Sequence, residues 1–119
     1  PRQLSGGMRQ RAALLRTYLF TSDIMLLDEP FASLDAITRR KMQLWLQELI
    51  CKFKSSILFI THSVDEAIFL SDKIYILSKR PSAVIKELEI NLKKPRDIDF
   101  FSSNDFIKLK EEILNLLNI

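Results

Sequence analysis

The run Ile24-Met25-Leu26-Leu27, apolar without a break and closed by Asp28-Glu29-Pro30, constrains the fold more than any other stretch of the chain. A strand with one wet face alternates polar and apolar residues, so an unbroken aliphatic run reads as a strand buried on both faces of a parallel sheet. Pro30 cannot donate to a ladder and ends the strand. A second run, Ser56-Ile57-Leu58-Phe59-Ile60-Thr61, stops at His62, the only histidine. Between the two, Met42, Trp45, Leu46, Leu49, Ile50 and Phe53 recur at spacings of three and four, which predicts a helix over Asp35 to Phe53 with one buried stripe. Strand, helix and strand make a βαβ unit, and its right-handed crossover sets both strand ends on the same edge of the sheet. The fold class is α/β.

Ligands of open α/β sheets bind beyond the carboxyl ends of the strands, where Asp28, Glu29 and His62 fall. Asp28 is suited to hold Mg²⁺, directly or through water. Glu29 is suited to polarise a water for attack on a phosphoryl group. The plainer alternatives are an acidic turn after a core strand and a structural imidazole. Upstream lies Leu4-Ser5-Gly6-Gly7-Met8-Arg9-Gln10-Arg11. Ser5 can cap a helix whose first turn, bared by Gly6 and Gly7, offers outward N–H groups and a partial positive charge to an anion such as phosphate. Alone, the tripeptide reads first as an ordinary capped turn.

Jointly, in order and in spacing, these pieces resemble the C-terminal part of the nucleotide-binding domain of ATP-binding cassette transporters. Leu4 to Met8 matches the signature loop, Ile24 to Asp28 the Walker B strand, Glu29 the catalytic glutamate and Ser33-Leu34-Asp35 the D-loop. Thr61-His62 matches the switch histidine, and Asp65-Glu66-Ala67 and Ser71-Asp72-Lys73 fit the usual sequel of a short helix leading into a strand. The match runs from Pro1 to about Ser78. Met8 stands where most members carry Gln, and Ser63 where Asp commonly follows the histidine; neither removes a catalytic group.

The resemblance implies an ATPase that uses ATP and Mg²⁺, in which two domains pair head to tail and each site is shared. Ser5, Gly6 and Gly7 would complete the partner's site and Asp35 would communicate across the dimer, while Asp28, Glu29 and His62 would serve their own site. It also implies a second ATPase subunit forming a homodimer, membrane permease subunits, and a substrate-binding protein met only indirectly. The setting would be cytoplasmic, peripheral at the inner face of the membrane. The form LSGGMRQR is similar to that of bacterial importers for nitrate, sulfonates and taurine, although no residue here would touch the cargo. Two other readings are an ATPase of DNA repair or chromosome structure, and a non-enzymatic scaffold. DEPFASLDA and THSVDEA argue against the first.

With only two glycines, Gly6 and Gly7, these residues cannot hold a G-x-x-x-x-G-K-[ST] phosphate loop. The expectation is a C-terminal piece of a larger ATPase, lacking the Walker A half, with at most weak ATP affinity and no turnover by itself. Strands left without neighbours favour self-association. Residues 1–92 read as the domain part and 93–119 as a linker, Lys93 to Asp97, followed by an amphipathic helix from Asn104 to Leu117. Lys73 to Ser78 and Ala83 to Ile90 read as a hairpin around Lys79-Arg80-Pro81.

The net charge of +3 is modest, and no aromatics interleave the basic residues as a nucleic-acid stacking platform requires, so nucleic acid is not an expected partner. Arg39-Arg40-Lys41 falls early in a helix, where the dipole disfavours cations; a solvated surface is the expected reading and a local partner the alternative. The lone Cys51 permits no internal disulfide, and no Cys/His cluster exists for zinc.

Overall fold

A computed structural model describes residues 24–53, 56–79, 83–94 and 96–117. The chain divides into two compact units, Pro1–His62 and Ser63–Ile119.

In the first unit, β1 (Ile24–Asp28) and β2 (Ser56–Ile60) lie side by side in parallel, joined by α1 (Ala36–Phe53). The βαβ unit read from the sequence is present, with a parallel sheet of two strands among the described residues. The register runs from Ile24 opposite Ser56 to Asp28 opposite Ile60. Alternation along β1 buries Met25 and Leu27, while Ile24, Leu26, Leu58 and Ile60 stand exposed on the other face. This corrects the expectation of burial on both faces. Aliphatic composition records a strand's affinity for cover, not whether a covering layer is at hand.

Helix α1 contains no glycine or proline across its 18 residues and carries Lys52 in its last turn, where a cation suits the dipole. Its most deeply buried positions are Met42, Gln43, Leu46 and Gln47, whereas Trp45, Leu49 and Ile50 are half-buried. The buried strip is therefore rotated from the one that apolar spacing suggested. Apolar residues cover so much of this helix that spacing alone leaves its rotation open.

The second unit opens with the short helix α2 (Val64–Leu70). Ser63 caps it, its hydroxyl accepting the Glu66 N–H at 3.2 Å, and Asp65 and Glu66 suit the positive end of its dipole. Ser63 thus does the capping work that an Asp does equally well. Next, β3 (Lys73–Leu77) and β4 (Val84–Glu89) form the expected hairpin, antiparallel, with a bulge between Ile76 and Leu77. A 3₁₀ turn (Ile98–Ser102) leads into α3 (Asn104–Leu116), capped by Ser103, which accepts the Phe106 N–H at 3.2 Å.

One core holds this unit together: Ile68 from α2, Ile74 and Ile76 from β3, Leu88 and Ile90 from β4 and just after it, and Phe106 and Ile113 from α3. Residues on both sides of position 92 share it. The face predicted for the last helix is the one used, with Leu109, Leu116 and Leu117 packed against the core. Phe69 stacks on Phe101 at 4.7 Å between ring centroids, and Phe100 and Phe101 meet Phe106 edge-on.

The segment read as a linker is tied down. Arg96 is only 4% exposed and donates to the carbonyls of Ile68, Phe69, Ser71 and Leu92 at 2.9, 3.1, 2.8 and 3.0 Å. Lys94 donates to the Leu70 carbonyl at 2.7 Å and pairs with Asp72. The last carbonyls of a helix lack intrahelical donors, and here basic side chains from over twenty residues away supply them.

Candidate functional site

The site is built where β1 ends. Asp28, last in the strand, is exposed. The ladder reaches one residue further, because the Glu29 N–H donates to the Ile60 carbonyl at 2.8 Å. There the backbone leaves extended geometry: Glu29 takes φ 45° in the left-handed region. A non-glycine residue there costs of order 1 kcal/mol and persists only where its surroundings over-determine it. Such outliers gather at functional sites.

The turn brings Glu29 to His62, two residues past the end of β2, with Oε1 and Nε2 3.3 Å apart. The His62 side chain is 91% exposed and that of Glu29 34%, so the pair sits at an open surface with room for a further group. The shared edge argued from the crossover is present, and register explains it. Asp28 faces Ile60 across the ladder, Glu29 is pinned to Ile60, and Thr61 is the only spacer before His62.

From Glu29 to Asp35 the chain makes two tight turns, with the Ala32 N–H donating to Glu29 O at 3.3 Å and the Leu34 N–H to Phe31 O at 3.2 Å. Phe31 and Leu34 are buried and anchor the loop, and the Phe31 ring meets Phe59 of β2 at 6.0 Å between centroids. Asp35 ends the loop as the N-cap of α1. Its Oδ1 accepts the Thr38 N–H at 2.7 Å, and its Oδ2 accepts the Thr38 hydroxyl at 3.1 Å. For Arg39, early in α1, the structure bears out the alternative of a local partner and not the solvated surface expected: it donates from Nε to Phe31 O at 3.3 Å and from an amino group to Leu34 O at 2.6 Å.

The Thr38 N–H, then its hydroxyl, hold the Asp35 carboxyl below its ordinary value of 3.8, with Arg39 adding to the effect. The folded state thus favours the ionised form. Its contribution to stability is complete above the ordinary value and disappears as pH falls through the depressed one. Acid titration of the helical circular-dichroism signal is expected to show that component in the parent and not in Asp35→Asn, which keeps an acceptor but no proton equilibrium. Identical profiles would refute the role.

Of the residues singled out from the sequence, Glu29 and His62 are in contact, Asp28 adjoins them in the chain, and Asp35 caps the helix leaving the same loop. Ser5, Gly6 and Gly7 lie outside the described residues. Sequence reasoning did not foresee the Arg39 clamp itself; its only signal was a cation in an unfavourable first turn. Among the described residues, no group of three or more His, Cys, Asp or Glu side chains is placed to hold a metal ion. Nor is any described helix long and apolar enough to cross a membrane.

A family model described as ABC transporter matches residues 1–32. An uncharacterized ABC transporter ATP-binding protein of Methanocaldococcus jannaschii is 45% identical over 98% of this chain and 43% of its own length. A nitrate import ATP-binding protein of Synechocystis is 41% identical over 98% of the chain and 46% of its own. An aliphatic sulfonates import ATP-binding protein of Shouchella clausii is 41% identical over 97% and 44%. The chain spans less than half the length of these relatives.

Proposed function

The chain belongs to the ABC transporter ATP-binding family, and from that premise we propose that it supplies the water-activating part of an ATPase that drives a bacterial importer. The observation that carries this reading is the contact of Glu29 with His62 at the ends of two paired parallel strands.

Glu29 acts as general base, accepting a proton from the attacking water as its oxygen bonds to the γ-phosphorus and the bond to the bridging oxygen breaks, releasing ADP and phosphate. His62, beside that carboxylate, orients it and contacts the phosphate side of the site. Asp28 holds Mg²⁺. The fit is chemical: Mg²⁺ is ordinarily bound by one or two carboxylates together with substrate phosphates, and a lone strand-end aspartate suits that better than a protein-only cage. When bound, the ion neutralises charge developing on the phosphates. Ser5, Gly6 and Gly7 present N–H groups to the nucleotide of a partner's site, and Asp35 lies at the contact between two such subunits. The phosphate loop is supplied by residues other than these 119.

Assembled, two ATPase subunits close on ATP and reopen after hydrolysis, and permease subunits convert that motion into import from the inner face of the membrane. The Synechocystis and Shouchella relatives favour a nitrate-like or sulfonate-like anion as cargo. The test is His62→Ala in the assembled ATPase, expected to lower turnover by up to ~10²-fold through misplacement of the Glu29–water geometry. Turnover within twofold of the parent would remove the pair from the mechanism.

The 119-residue chain alone is expected to self-associate. The exposed residues Ile24, Leu26, Leu58 and Ile60 share one sheet face, flanked by Ser56 and Asp28, and an exposed aliphatic cluster of this kind favours association. Sedimentation should show oligomers that Leu26→Lys with Leu58→Lys reduces. A monodisperse parental monomer at tens of micromolar would contradict this.

A further inference from the structure

We infer that Arg39 is a positioning residue for hydrolysis, fixing the Glu29 carboxylate through the loop between β1 and α1; this rests on the reading of Glu29 as general base.

The loop is held at its first residue by the Glu29 N–H on Ile60 and at its last by the Asp35 cap. Between these anchors its conformation depends on the Phe31 and Leu34 peptides, and Arg39 grips both carbonyls with one guanidinium. Phe31 O already accepts the Leu34 N–H, and Glu29 O accepts the Ala32 N–H, so fixing the Phe31 peptide fixes the turn that begins at Glu29. That turn holds Glu29 at φ 45°, a geometry the residue would leave if its surroundings relaxed.

The location of the charge is itself informative. A cation in the first turn of a helix opposes the dipole and would be better placed at the other end. Here the guanidinium reaches back from that turn to two carbonyl dipoles and lies near the Asp35 carboxylate, which offsets the penalty. Only a planar fork of N–H donors can hold two carbonyls in fixed relative positions; a lysine ammonium is a single point with rotating donors. The chemistry therefore calls for arginine rather than any cation.

The experiment uses the assembled ATPase with Arg39→Met and Arg39→Lys, each alone and combined with Glu29→Gln. Binding sites are counted by equilibrium titration with a fluorescent ATP analogue, so that loss of folded protein is separated from loss of rate. The expected result is a fall in kcat per counted site of ~10-fold or more for R39M, with KM for Mg-ATP within about twofold, and an intermediate fall for R39K. R39M should add nothing to the loss already caused by E29Q, as for two residues acting through one group. An unchanged kcat per site in R39M, or losses that multiply in the double variant, would overturn the inference while leaving Glu29 as base. Parental turnover by E29Q itself would overturn both. If R39M does not assemble, R39K decides alone: full kcat per site excludes the fork requirement and with it the inference.

Discussion

Glu29→Gln is expected to lower steady-state ATP turnover by the assembled ATPase by about 10²–10⁴-fold, the range that a positioned general base contributes. The substitution is chosen because it removes so little else. Gln has the length and shape of Glu, tolerates the same backbone with φ 45°, and keeps an amide oxygen 3.3 Å from His62 if the rotamer is retained. What it loses is the capacity to take a proton. ATP binding should therefore survive, and with hydrolysis stopped the closed, nucleotide-filled dimer should accumulate. Product release after a single turnover, followed by quench, and dimer formation, followed by light scattering, measure the two consequences. Turnover at the parental rate would remove Glu29 from the role of base. A dead variant that also fails to bind ATP would point to a folding defect instead.

Arg96→Met should produce the largest loss of stability outside the hydrophobic core. The side chain is 4% exposed and donates to four backbone carbonyls, three of them in the last residues of α2 or just after it. A helix of seven residues is too short to hold itself in water. Its free carbonyls and dipole call for a cation at this end, and the Phe100 ring, 5.5 Å from the guanidinium carbon, adds a favourable contact. Met keeps part of the stem but leaves buried acceptors with no donor, each costing about 1–3 kcal/mol. Some will be reached by water, so a net loss of about 3 kcal/mol is expected, lowering Tm by roughly 10–20 °C. Arg96→Lys should recover part of this. Denaturant midpoints for the three proteins check the series, and a change below about 1 kcal/mol for R96M would show that α2 does not depend on the clamp.

The same arginine shows where sequence reasoning stops. Lys93 to Asp97, charged and interrupted by a proline, has the composition of a solvated linker, and nothing local indicates that its guanidinium is buried against residues 25 to 28 positions earlier. Aromatic residues Phe100 and Phe101 likewise form a 3₁₀ turn whose packing against Phe69 is invisible to periodicity. Gln43 and Gln47 fall on the buried strip of α1 because rotation about the helix axis is set by what it packs on. By contrast, the ends of β1 and β2 were legible. An aliphatic run closed by carboxylates, a crossover helix and the handedness of βαβ units together put Glu29 and His62 on one edge of the sheet, though not yet in contact. The left-handed turn at Glu29 was not legible, since no glycine or asparagine announces it.

Parallel pairing has a kinetic corollary. β1 and β2 cannot zip up from a hairpin; the intervening helix must first span the distance and deliver the second strand in register. Contacts this far apart in the chain form late, after the entropy of closing the long loop has been overcome. Glu29 and His62 are therefore expected to meet only after that loop has closed. The proposed hydrolytic pair thus exists only once the sheet edge is complete, and a partly unfolded copy lacks it.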